Sequence, residues 1–234
     1  MKTYNRIRHS ILASVLIFTV LTIFSGCDEN GGILIPSGAT DLTLSIGSND
    51  NINDNPLDMV VITEAKALVT EIEYERERDG IDQLHQTGPY VVNFNLAGTL
   101  TEVLTGYIVR DIYTKAKFKI HKPESSETPA DPEFKEGTGD AQRFSFIIKG
   151  TYNGTAFVYK SKKSAAIEIN FNSATNINLK NQNLTVLFNK TGWFKSGNTV
   201  LNPNDPANAD AIDNNIRNSF RRAFEDDNKD GQPD

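Results

Sequence analysis

The strongest constraint on how this chain can fold is a period of two that recurs between polar turns along its middle. Leu42, Leu44 and Ile46 alternate with Thr43 and Ser45, the pattern of a strand with one face in a core. Val60 to Tyr74 reads as one long bent strand, from Val60-Val61-Ile62 and the alternation of Leu68, Thr70, Ile72 and Tyr74. Tyr90, Val92, Phe94 and Leu96 share a side. Ile108, Ile112, Ala116, Phe118 and Ile120 belong to the next run, whose other face carries Lys115, Lys117 and Lys119. Phe144-Phe146-Ile148, Phe157-Tyr159, Ala165-Ile167-Ile169-Phe171 and Leu184-Val186-Phe188 complete the series. Asn153-Gly154 supplies the positive dihedrals of a two-residue hairpin. Arg76–Gly88 reads as a charged connection and Lys122–Gln142 as a solvated loop. Short strands without intervening long helices predict a mainly β fold, an antiparallel β-sandwich of about seven to eight strands.

The period changes near the end. Asp205 and Pro206 suit the start of a helix, and Ile212, Ile216, Phe220 and Phe224 recur every four residues. One amphipathic helix over Pro203–Phe224 is expected, its polar face carrying Asp213, Arg217 and Arg221. Trp193 and Phe194 should pack on its apolar stripe, Trp193 as a buried structural residue rather than a platform for a sugar ring.

The opposite terminus carries an address. Lys2, Arg6 and Arg8 precede an uncharged run from Ile11 to Phe24, shorter than the roughly 20 residues that a membrane-spanning helix needs. Ser25, Gly26 and Cys27, the chain's single cysteine, follow. This segment resembles the lipobox of bacterial lipoproteins, with Phe24 where Leu is usual. The resemblance implies cleavage before Cys27 and a diacylglyceryl and N-acyl lipid on that residue. Removing residues 1–26 takes away three basic residues and no acidic one, leaving 21 against 30 and a net charge of −9. Such a surface disfavours nucleic acid and bare anionic membranes, so membrane attachment must come from lipid. With the thiol acylated, neither a disulfide nor a thiolate metal site is available. The expected organisation is a signal peptide over 1–26, a flexible tether over 27–39, a β-sandwich over 40–191, and a helix with an acidic loop over 192–234 packed on it.

Asp28-Glu29 behind the cysteine resembles the surface-export signal of Bacteroidetes-type lipoproteins, which implies an outer-membrane, surface-exposed location; the periplasmic face stays open. Phe94-Asn95-Leu96, Leu100, Leu104, Gly106-Tyr107, Ile108 and Ile112 resemble a pattern in an uncharacterised family of bacterial lipoproteins. That likeness implies an immunoglobulin- or transthyretin-type sandwich in which the Gly-Tyr step opens a strand.

The tail ends Asp226-Asp227-Asn228-Lys229-Asp230-Gly231-Gln232-Pro233-Asp234. Oxygens at Asp226, Asn228, Asp230 and Asp234, with the Gln232 carbonyl, follow the spacing by which a tight loop converges ligands on Ca²⁺. The loop resembles those of EF-hands, dockerins and thrombospondin type-3 repeats. It lacks the acid at the twelfth position, so weak binding of about 10⁻⁴–10⁻³ M is expected.

No GxSxG, P-loop, GxGxxG or HExxH motif occurs, and Glu71, Glu73, Glu75 and Glu77 share one face instead of forming a catalytic pair in unlike environments. The expectation is a non-enzymatic, lipid-anchored envelope module that binds a glycan or an envelope protein. A carrier for haem or a metal through His85 and His121 is the alternative, and an envelope hydrolase the minor one.

Overall fold

The computed structural model describes residues 37–48 and 59–234; of residues 84–86 only the backbone is described. Cys27, the segment 1–26, the tether to residue 36 and the polar turn Asn49–Pro56 lie outside the described residues. Among the described residues, twelve strands, one α-helix and three 3₁₀ turns follow in chain order. The strands are β1 (Ala39–Ser48), β2 (Val60–Arg76), β3 (Asp82–Asn93), β4 (Thr101–Val109), β5 (Asp111–Ile120) and β6 (Phe146–Tyr152). Then come β7 (Thr155–Ser161), β8 (Ala165–Ile177), β9 (Gln182–Phe188), β10 (Lys195–Ser196), β11 (Thr199–Val200), α1 (Ala209–Arg217) and β12 (Phe220–Glu225).

The protein is mainly β. Ten strands form one sheet in the order β4-β1-β9-β12-β8-β5-β2-β6-β7, with β3 also on β2. β1 pairs with β9 in parallel, and β12 touches β8 in parallel. The sheet is therefore mixed, a curled half-barrel where the alternation predicts an antiparallel sandwich. Alternation marks which residues face a core; it carries no information on strand direction. β2 makes the curl. Its first half pairs with β6 and its second half with β5 and β3, with register shifts at Ile62/Glu64 and Val69/Glu71 bending it between them. Leu44, Val69, Val92, Phe118, Ile167, Val186 and Phe220, from seven strands, meet inside.

The two-residue hairpin is where the sequence puts it: Asn153 and Gly154 have φ of 51° and 77° between β6 and β7. The charged connection at Arg76–Gly88 is shorter than expected, since β3 begins at Asp82. Gly106-Tyr107 lies inside β4, Gly106 opposite Leu42, instead of opening a strand. On the outer face Lys115, Lys117 and Lys119 interdigitate with Glu71, Glu73, Glu75, Asp82 and Glu168. These carboxylates answer their lysine neighbours.

Two regions depart from the sequence reading. The expected helix of Pro203–Phe224 stops at Arg217, where the Asn218 N–H bonds to the Asn214 and Ile216 carbonyls. Phe220–Glu225 then enters the sheet as β12, antiparallel to β9. A bulge between Phe220 and Arg222 turns Phe220 and Ala223 inward at a spacing of three, which in sequence mimics a helical period. Helix α1 is held on β7 by the Tyr159 hydroxyl, 3.0 Å from the Ala209 carbonyl and 2.6 Å from the Asp213 carboxylate.

Lys122–Gln142 is a strap on the outer face, not a solvated loop. Its Phe134 is fully buried against Leu68, Phe144 and Ile147 in a second small core. Beside it the buried Lys66 meets Asp131 and Glu133, and Glu133 also lies 2.8 Å from Lys149. Hydrogen bonds from Lys149 and Lys66 hold the Glu133 carboxyl down to about 2. Burial pushes Asp131 up, yet its bonds with Lys66 and the Glu133 N–H leave it lowered. Depressed carboxylates stabilise the fold fully above their unfolded range near 4.5, and this contribution fades as pH falls through the folded value. The Phe134 ring resonances should therefore keep their folded shifts above about pH 4.5 and lose them toward pH 2. Shifts unchanged through that window would contradict the assignment.

Candidate functional site

The acidic turn at residues 226–234 follows a strand rather than a helix. It lies over a polar row on the outer face of β1 and β9, strands that are buried on both faces. In that row the Ser45 hydroxyl donates to Asn183 Oδ1 at 2.8 Å, and the Asn183 amide donates to the Asp226 carbonyl at 2.8 Å and to Thr185 Oγ1 at 3.0 Å. Asp226 is fully buried at the centre. Its Oδ2 accepts from the Thr185 hydroxyl at 2.8 Å and the Gly231 N–H at 3.0 Å, and its Oδ1 from the Asp230 N–H at 3.0 Å.

The other loop oxygens are engaged within the turn. Asn228 Oδ1 accepts from the Asp230 N–H and Asp230 Oδ1 from the Gln232 N–H. Asp234 accepts from the Asn228 amide at 2.9 Å and from the Asp227 N–H. Among the described residues, no three His, Cys, Asp or Glu side chains stand together as an ion's ligand set. Asp226, Asn228, Asp230, Gln232 and Asp234 are thus gathered in one turn, and the arrangement closes that turn over buried polar groups. A cation would have to share oxygens with these N–H donors.

The histidines are set on either side of β2. His121 follows β5, its N–H bonded to the Leu68 carbonyl, and its ring lies 3.8 Å from Glu124. The backbone of His85 runs in β3, opposite the Ile72/Glu73 shift of β2. The interior of the half-barrel leaves about 20 Å³, walled only by apolar side chains such as Leu44, Val92, Phe118 and Phe220. That is room for about one water and offers it no polar partner. Trp193 is fully buried, its ring stacked on Phe188 at 5.6 Å and edge-on to Phe146 and Phe94. It is structural, as the sequence suggests.

The sequence reading missed a polar cleft of about 370 Å³ where β9 ends and β12 begins. The loop after β9 brings Asn189 and Thr191, the end of α1 and the turn after it bring Asn215, Asn218 and Ser219, and β12 brings Arg221. Backbone bonds fix this frame. Asn189 Oδ1 accepts from the Thr191 N–H and hydroxyl at 3.0 and 2.6 Å. The Asn215 amide donates to the Trp193 and Lys195 carbonyls, and Ser219 Oγ to the Ile216 carbonyl. Arg221 Nε donates to the Asn218 carbonyl at 3.0 Å, which leaves the terminal guanidinium nitrogens for other partners. The lining is amide, hydroxyl and guanidinium, with no carboxylate. Asparagines clustered over 189–218 are the only signal that the sequence offered.

No protein-family model matches the chain, and no curated protein matches it. Among solved structures it is similar to MbnP from Methylosinus trichosporium, at 10% identity and a TM-score of 0.44, over 74% of this chain and 86% of that one.

Proposed function

We propose that the protein is a non-enzymatic, lipid-anchored module of the cell envelope, held by Cys27, that binds a glycan in the cleft beside Arg221. The cleft carries this reading. Its walls are rich in amides, hydroxyls and N–H donors, which suit sugar hydroxyls and a carboxylate, and they lack the acid that would attract a cation. The small apolar interior favours this reading over a haem carrier.

Calorimetric titration of the mature protein with glucuronate and with glucose tests the cleft. Glucuronate is expected to bind more tightly, and Arg221→Ala to weaken it about tenfold, the scale of one lost charge-assisted hydrogen bond. Equal affinities in the native protein and the variant would remove the cleft from the reading.

Weak calcium binding at the terminal turn is the second proposal, with Asp226, Asn228, Asp230, Gln232 and Asp234 as its oxygens. Five acids crowd residues 225–234, and the one lysine there, Lys229, is paired away at 3.0 Å from Glu102. At 10 mM calcium and a Kd of about 1 mM, mass action would add about 1.4 kcal/mol and raise Tm by a few degrees. An unchanged Tm with no calcium heat would dispose of it.

A further inference from the structure

Among the described residues, five of the eight large exposed apolar side chains gather at one end of the half-barrel: Leu179, Ile81, Val109, Ile112 and Tyr107. Leu179 is 63% exposed and Ile81 52%, and both sit at turns. A chain of hydrogen bonds binds this end together. The Arg76 N–H donates to the Ile81 carbonyl at 3.0 Å, and the Glu77 N–H to the Ile112 carbonyl at 2.8 Å. The Arg110 N–H reaches the Gly38 carbonyl at 2.9 Å, and the Thr40 hydroxyl the Leu179 carbonyl at 2.6 Å. The apolar turns therefore surround Gly38, where the chain joins the folded body. Eleven residue steps separate Gly38 from Cys27, at most about 40 Å of extended chain.

We propose that this end is a membrane-docking surface, whose apolar tips enter the interfacial layer of the bilayer that holds the Cys27 lipid. The inference rests on the lipid-anchor reading and adds an orientation to it. The local charges fit such a surface. Arg76 and Arg78 are paired with Asp79 and Asp111. Exposed Arg110 and Lys180 stand next in sequence to Val109 and Leu179, where a long cationic side chain can reach lipid phosphate while its apolar neighbour inserts. Attraction is then mainly apolar and depends little on salt or anionic lipid. The polar cleft lies at the other end of β9 and β12, facing away from the bilayer.

An acylated Cys27 leaves no other thiol, so Leu179→Cys in the processed lipoprotein accepts a single polarity-sensitive fluorophore. Val158→Cys is the control. Val158 pairs with Lys149, which pairs with Glu64, twelve residues and about 40 Å along β2 from Arg76. In phosphatidylcholine vesicles that contain doxyl-labelled lipid, the label at 179 should shift to the blue and be strongly quenched, and the label at 158 should not. Flotation with the vesicles but no quenching at 179, or equal quenching at both positions, overturns the orientation and leaves the anchor standing. Failure to float overturns the anchor and the inference with it. Shielding at 179 that appears only with added envelope protein, without doxyl quenching, assigns the patch to a protein partner and refutes the membrane proposal.

Discussion

Asp226→Ala should lower the unfolding free energy by about 3–5 kcal/mol, measured by urea denaturation in calcium-free buffer with a chelator. The alanine strands two donors, the Thr185 hydroxyl and the Gly231 N–H, while the Asp230 N–H keeps Asn228 Oδ1 as its acceptor. Each stranded buried donor costs about 1–3 kcal/mol, and relaxation of the turn recovers part of the sum. Asp226→Asn should cost less, since one acceptor oxygen remains. A loss under 1 kcal/mol in the absence of calcium would mean that the carboxylate is there for a ligand and not for the fold.

Phe94→Ala is the second large loss, at about 3–5 kcal/mol. Phe94 directly follows β3 in the middle of an aromatic cluster: its ring stacks on Phe146 at 5.2 Å, meets Phe188 edge-on at 5.1 Å and lies 5.9 Å from Phe220. These neighbours come from β6, β9 and β12, and Trp193 packs beside them against Phe146 and Phe188. They cannot collapse into the hole without moving strands. The near-UV circular dichroism of Trp193, edge-on to Phe94 at 6.4 Å, should weaken together with stability. A variant that kept both would show that the cluster is loosely packed.

The two residues illustrate what could be read in advance. Phe94 belongs to an alternating run, and alternation reports burial directly because successive strand side chains face opposite ways. The inward faces of β1, β5, β8 and β9 and the Asn153-Gly154 turn were legible for that reason. Asp226 was legible as a member of a spaced acidic set, but its burial was not. That depends on Asn183 and Thr185, more than forty residues away, and on β12 being a strand. The bulge at Phe220/Arg222 hid the strand by giving it a helical spacing. Phe134 was hidden differently: a strap pinned by one aromatic and one buried lysine has no period to detect. The cleft beside Arg221 needed three separate segments to meet, and polar residues that meet in this way leave little trace in a linear pattern.

The proposals on location and orientation presuppose that the chain is held to a membrane through its single cysteine. Intact-mass and peptide mass spectrometry of the protein purified from its own envelope tests this directly. Residues 1–26 should be gone, and Cys27 should carry diacylglyceryl and N-acyl groups. A retained leader, or an unmodified thiol at Cys27, would contradict the lipid anchor.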